Sequence, residues 1–201
     1  MLNLGGKNIG EMYYGGRKIG EAYLGDRLVY QSVNLPVEVM PNGSSAREWL
    51  RGKLVEYGEH YATVENLPFK LDMSQVENMN YMFQGCASLT SAPAMDTSNV
   101  TNTSYMFRAC SSLTSAPAMD TSSVTGMRAM FDDCTSLTTV PDMDTSKVTD
   151  TSYMFRKCES LTDGNVRLLR ATTSKPKSRS AMIQGSGLTR EPFYLFDGTP
   201  I

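Results

Sequence analysis

Apolar columns that recur every 24 positions, Pro and Asp-Thr-Ser signals locked to the same period, and an earlier ladder of glycines every ten residues predict an α+β repeat solenoid of leucine-rich-repeat-like type. Each 24-residue coil is expected to hold a short strand and a short helix, with a helical cap and a small β-meander ahead of the array. The predicted division is 1–33, β-meander attachment module; 34–43, linker; 44–66, helical N-terminal cap; 67–163, repeats; and 164–201, a C-terminal cap with a degenerate repeat.

The opening segment reads LGGKNIGEMY, YGGRKIGEAY and LGDRLVYQSV. Gly5-Gly6, Gly15-Gly16 and Gly25-Asp26 stand where two-residue hairpin turns need positive φ, and Ile, Tyr and Val fill the segments between. Strands of about six to eight residues make a ribbon that is marginal alone, so it should pack on a partner or on copies of itself. Tyr13, Tyr14, Tyr23 and Tyr30 are the candidate attachment residues.

Two prolines and an Asn-Gly between Asn34 and Ser45 mark a boundary. A helix follows: Ser45 and Glu48 fit a capping box, Ala46, Trp49, Leu50, Leu54 and Tyr57 form one apolar stripe, and Gly58 stands at the C′ position. The single Trp on that stripe reads as part of an end-cap, since an open solenoid end must be covered. His60, the only histidine, has no nucleophile or acid-base partner in any recognised motif, and its neighbours 61–64 read as a strand.

In the repeats, Met82, Met106, Met130 and Met154 share one phase, as do Phe83, Phe107, Phe131 and Phe155; Cys86, Cys110, Cys134 and Cys158; and Leu89, Leu113, Leu137 and Leu161. Val100, Thr103, Met106, Phe107 and Cys110 follow helical spacing, whereas Leu89 to Met95 reads as a strand. Met182 to Pro192 echoes Met82 to Pro93 with one residue deleted and Ser186 in place of Cys. A helix over Asn165 to Thr172 and a basic loop are expected before it. That stretch carries Arg167, Arg170, Lys175, Lys177, Arg179 and Arg190 with no acid between Asp163 and Glu191, and reads as a solvated loop of a terminal cap.

The composition bounds the chemistry. With 19 Lys and Arg against 21 Asp and Glu, the net charge of −2 argues against holding nucleic acid or an anionic membrane through global charge. No stretch approaches the apolar length of a membrane span or a signal peptide. One cysteine per coil forms no zinc knuckle and reads as a small buried packing residue. Asp72, Asp96, Asp120 and Asp144, followed by Ser or Thr-Ser, suit an Asx-turn or a helix N-cap better than a calcium coil. No catalytic residue, metal ligand or cofactor site is predicted.

Polar and charged types interchange at Arg108, Asp132 and Arg156, which share a phase with Gln84; at Asp133 and Lys157, in phase with Gly85; and at Asp142, in phase with Ala94 and Ala118. These positions are expected to face solvent and to be the partner-binding candidates, because a solenoid binds through its outer wall.

The unit MFxxCxSLTxxPxMDTSxVT, over Asp72 to Leu161, resembles the repeats of bacterial surface proteins of the BspA-like leucine-rich type. Thr103 and Thr151 depart from that pattern's frequent Met, kept here as Met79 and Met127. The segment YYGGRKIGEAYLGDRLVY resembles short tail-protein modules of bacteriophages of Gram-positive hosts. Together the resemblances imply a phage minor tail or receptor-binding protein, made in the host cytoplasm and carried on the virion. It would be non-enzymatic, contacting other tail proteins through residues 1–33 and a host cell-surface glycan or protein through the solenoid, without nucleic acid or membrane insertion. A BspA-like adhesin on a bacterial cell surface and a purely structural tail connector are the alternatives.

Overall fold

The computed structural model describes residues 37–41, 45–56, 58–60, 62, 67, 70–170, 175–195 and 199–200, together with the backbone of strands between residues 2 and 31. Those strands are β1 (Leu2–Leu4), β2 (Lys7–Ile9), β3 (Tyr13–Tyr14), β4 (Arg17–Lys18), β5 (Glu21–Leu24) and β6 (Arg27–Gln31). They form three antiparallel hairpins, closed at Leu4↔Lys7, Tyr14↔Arg17 and Leu24↔Arg27. The glycine turns themselves lie outside the described residues. Instead of one meander with strands of about six to eight residues, each hairpin is a separate two-stranded sheet. With two to five residues per strand, each has few N–H and C=O groups to offer a second neighbour.

From residue 70 onward the chain stacks coil on coil. Main-chain N–H groups of Met79, Tyr81, Phe83 and Gly85 donate to the carbonyls of Asn102, Ser104, Met106 and Arg108 at 2.8 to 3.1 Å. The same four-bond row recurs from Thr103, Tyr105, Phe107 and Ala109, from Met127, Ala129, Phe131 and Asp133, and from Thr151, Tyr153, Phe155 and Lys157. Between these donors, the N–H groups of Met82, Gln84 and Cys86 close turns onto the carbonyls three residues back. Parallel bridges Asn78↔Asn102↔Gly126↔Asp150↔Ser178 follow the same edge.

This bonding replaces the short helix expected in each coil. An α-helix directs each interior N–H to the carbonyl four residues back, but here every second N–H is engaged by the next coil. Tyr105 and Ala109 sit at φ 61° and 60°, and Tyr81, Ala129, Asp133, Tyr153 and Lys157 repeat that left-handed geometry, which a right-handed helix cannot contain. The expected Leu89 to Met95 strand shrinks as well, to single bridges Ser91↔Ser115↔Thr139. Pro93, Pro117 and Pro141 lie two residues beyond those bridges and have no N–H to extend a ladder.

Stacking places equivalent side chains in register. The Met, Phe, Cys and Leu columns are each 0% exposed from Met82 to Leu161. Phe83, Phe107, Phe131 and Phe155 lie parallel with ring centroids 5.2, 5.6 and 5.8 Å apart. Threonines fasten the rungs: Thr101 Oγ1 donates to the Glu77 carbonyl, and Thr125 repeats this onto Thr101. Thr103 and Thr151, the departures from Met, alternate with Met79 and Met127 in one buried column, and Thr103 Oγ1 donates to the Gly126 carbonyl at 3.3 Å. A hydroxyl there gains a rung that a Met cannot make.

At the N-terminal end lie β7 (Val37–Val39), α1 (Ala46–Glu56) and β8 (Lys70–Asp72). Residues 37–39, expected in a linker, pair in parallel with β8. Helix α1 buries Ala46, Leu50 and Leu54, and Trp49 packs half-buried against the same core. Gly58, at φ 75°, donates to the Val55 carbonyl and Glu59 to that of Leu54, the paired bonds of a Schellman end. Tyr57 lies outside the described residues, as does the strand expected at 61–64 apart from Ala62.

At the other end, β9 (Met143–Asp144), β10 (Leu168–Arg170) and β11 (Phe193–Leu195) form a parallel sheet in the order β11-β10-β9. Strand β10 occupies the place of the helix expected at 165–172. Leu168 and Arg170 are buried while Leu169 is half-buried, a period-two pattern held by hydrogen bonds to both neighbouring strands.

Candidate partner-binding face

Of the charged positions singled out in the sequence, Arg108, Asp132 and Arg156 fall in one column of the stack, and Asp132 is the exception to the expectation of exposure. Its side chain is only 2% exposed, clamped by Arg156, whose Nε and Nη2 donate to Oδ1 and Oδ2 at 2.7 Å each, and by Arg108, whose Nε donates to Oδ2 at 3.1 Å. A charge that exchanges with Arg in the same phase is here buried because Arg neighbours one coil away on both sides neutralise it. The hydrogen bond to Asp132 raises the Arg156 pKa further.

Asp133 and Lys157 are exposed and 3.9 Å apart. Asp142 pairs with Arg167 at 3.2 Å, away from this column, and the Arg167 guanidinium lies over the Tyr194 ring. Sequence reasoning missed the aromatic part. Tyr81 and Tyr105 stack with centroids 4.8 Å apart, and the guanidiniums of Arg128 and Arg156 both lie 4.9 Å from the Tyr153 centroid. Arg128 Nε donates to the Tyr105 hydroxyl at 2.8 Å, which holds the Arg128 pKa above its ordinary value. The available signal was the shared phase of Tyr81, Tyr105 and Tyr153, interrupted by Ala129 with Arg128 beside it.

Tyr13 and Tyr14 lie in β3, Tyr23 in β5 and Tyr30 in β6; their side chains are outside the described residues. A cleft of about 270 Å³ between α1 and the first coil is lined in part by Arg47, Arg51, His60 and Gln84. There Arg47 Nη1 donates to Gln84 Oε1 at 2.8 Å, and the Ala62 N–H donates to His60 Nδ1.

The cysteines are packing groups with a bonding role. Cys110, Cys134 and Cys158 each donate the thiol to the carbonyl of the preceding coil's Phe at 3.0 Å. Burial pushes the Cys158 pKa up to about 12 and those of Cys110 and Cys134 well above the ordinary value. All four are free thiols, and at neutral pH these three stay protonated, the form that neither attacks nor ligates. Ser186, at the degenerate site, bonds instead to the Ile183 carbonyl of its own coil.

The Asp ladder resolves as Asx-turns. Asp72, Asp96, Asp120 and Asp144 each accept the N–H of the Ser two residues on, at 2.8 to 3.0 Å. Arg170, placed in a solvated loop by its sequence context, is buried and donates to the carbonyls of Thr145 and Ser146. Among the described residues no group of three or more His, Cys, Asp or Glu is placed to hold a metal ion, and no helix is long and apolar enough to cross a membrane.

No curated protein and no solved structure matches this chain. Residues 59–163, and again 91–191, match a family described as "Mycoplasma protein of unknown function, DUF285". With the matched span running from 59 to 191, well over half its length, the chain belongs to the DUF285 family and is a BspA-like repeat protein.

Proposed function

We propose that this chain is a non-enzymatic phage minor tail or receptor-binding protein, built as a leucine-rich-repeat-like solenoid that binds a host cell-surface structure while the N-terminal hairpins attach to the virion. The observation that carries the binding half is the ordered column of part-exposed side chains, Tyr81, Tyr105, Arg108, Arg128, Tyr153 and Arg156, on a stack whose interior is built on continuous Met, Phe, Cys and Leu columns. Regular outer positions on a rigid core form a preorganised contact surface. The attachment half is supported by the separate hairpins of residues 2–31, too short to be independently stable and so in need of a partner surface.

Two measurements test it together. Purified virions probed with an antibody against the chain should contain it, and labelled full-length protein should bind host cells saturably but unrelated cells at background. Protein found in virions without cell binding would reduce it to a structural connector. The family match, which leaves out the N-terminal hairpins, favours a second reading: an adhesin module of a bacterial surface protein. Flanking tape-measure or baseplate genes would support the first, and a chromosomal operon with a sortase the second.

A further inference from the structure

We infer that the column of Tyr105, Arg108, Arg128, Tyr153 and Arg156 is a binding strip for an anionic glycan, one carrying phosphate or carboxylate groups along its length. The inference rests on the reading of the stack as the binding element and specifies its face and ligand chemistry.

The aromatic part of the strip is engaged from within: Tyr81 and Tyr105 stack through one face of each ring, and the guanidiniums of Arg128 and Arg156 lie over the Tyr153 ring. What the strip offers outward is hydroxyl and guanidinium edges.

Those edges carry unused donors. Arg108 engages Asp132 through Nε alone, so among the described residues Nη1 and Nη2 have no partner. Arg128 uses Nε on Tyr105 and Nη1 on Asp150, leaving Nη2; Arg156 uses Nε and Nη2 on Asp132, leaving Nη1. The three side chains are 42%, 39% and 31% exposed. Guanidinium N–H pairs match the oxygens of phosphate and carboxylate, and a guanidinium already fixed by other bonds loses little freedom on binding.

Charge and spacing complete the argument. With Asp133 and Lys157 included, four cations stand with three carboxylates, and one of the carboxylates, Asp132, is buried beneath the guanidiniums, so the outward charge is positive on a chain that is acidic overall. Arg108 and Arg156 hold the same phase two coils apart, and Arg128 comes from the coil between them at a different phase, in a stack whose Phe rings step by 5.2 to 5.8 Å. Fixed cations spread over three successive coils fit a polymer with repeating anionic groups.

The test uses the full-length chain. Binding of poly(glycerol phosphate) and of polygalacturonate is measured by calorimetry at low and physiological salt, beside neutral dextran and poly-glutamate, for the native protein and for Arg108→Gln with Arg128→Gln. Both substitutions leave Asp132 paired to Arg156. Thermal unfolding of the variant confirms that it folds, and Arg108→Gln alone serves if it does not. Expected are binding to one or both anionic glycans that weakens with salt, none to dextran, and a loss of about tenfold or more in the variant. The preferred polymer tells phosphate from carboxylate. No binding to either glycan, equal binding to poly-glutamate, or a variant that binds like the native chain overturns the inference. Host-cell binding that survives in the variant also overturns it while leaving the proposed function intact; glycan binding by a chain that ignores host cells does the reverse.

Discussion

At its N-terminal end the stack meets α1, which lays Ala46, Leu50 and Leu54 on the core and ties itself down through Arg47 to Gln84 and Lys53 to Glu38 at 2.8 and 2.9 Å. At its C-terminal end no helix among the described residues covers the last coil. That coil accepts hydrogen bonds through the carbonyls of Ser178, Ser180, Met182 and Gln184. Its own N–H groups in the equivalent donor positions, Arg179, Ala181, Ile183 and Gly185, have no acceptor among the described residues. Only the other edge is continued, by β11 on β10. Along this row every donor points toward the C-terminal end, so the last coil is left presenting donors on it, while the row of Thr101, Thr125 and Thr149 donates the other way, to the coil before. The N-terminal end is closed by buried apolar area, the C-terminal end by strand pairing on one edge.

The comparison breaks most visibly at the helix. Leu50→Ala or Leu54→Ala should destabilise the chain by about 2 to 5 kcal/mol in chemical denaturation, as should Leu113→Ala in the interior. A loss below half a kcal/mol at Leu50 would mean that α1 is ornamental rather than a lid. Native-state amide exchange sharpens the contrast, with Phe155 and Lys157 protected and Ala181, Ile183 and Gly185 exchanging close to unprotected rates.

Two glycines should respond with opposite signs. At Gly187 an added Cβ would lie 2.0 Å from the Leu161 carbonyl oxygen and 2.8 Å from that of Glu159, so Gly187→Ala must shift backbone at the C-terminal end and cost about 1 to 3 kcal/mol. At Gly52, inside α1, nothing lies within 4 Å of an added Cβ, and Gly52→Ala should stabilise by about 0.5 to 1 kcal/mol. Equal melting shifts for the two would remove the distinction between a tight end and an open helix face.

The smallest effect is on acidity. Bonds from Ser74, Ser98 and Ser122 hold Asp72, Asp96 and Asp120 below the ordinary value near 3.8. A carboxyl whose pKa is depressed on folding stabilises the fold above its unfolded value and loses that contribution as pH falls through the folded one. The Tm should therefore be flat from pH 7 to about 5 and decline below about 4. A Tm that holds through pH 3 would show that the Asx-turns contribute nothing.

The interior positions were legible because a buried residue must recur at the period of the stack, and Met, Phe, Cys and Leu do so without interruption from Met82 to Leu161. Ser45 and Gly58 marked the helix ends for the same local reason that caps are recognisable at all. The coil interior was misread. Val100, Thr103, Met106, Phe107 and Cys110 have the spacing of one helix face, yet alternate N–H groups leave the chain and left-handed residues such as Tyr105 and Ala109 occupy sites where the side chains give no warning. In the candidate face, Arg108 and Arg156 were found by interchange of charge, but the same criterion placed Asp132 outside, since a buried ion pair between coils looks in sequence like a solvated position. Arg128 was overlooked because its partners, Tyr105 and Tyr153, stand 23 and 25 residues away.

By itself the sequence determined which side chains turn inward, where the period begins and ends, and where proline and Asx-turns bend the chain, because each follows from local stereochemistry and a repeating need to exclude water. Only the tertiary structure decided the backbone path within a coil, the direction of each hydrogen-bonded row between coils and the burial of Asp132. Those depend on hydrogen bonds and ion pairs to a neighbouring coil some two dozen residues distant, and a linear pattern does not record which partner a backbone N–H will meet.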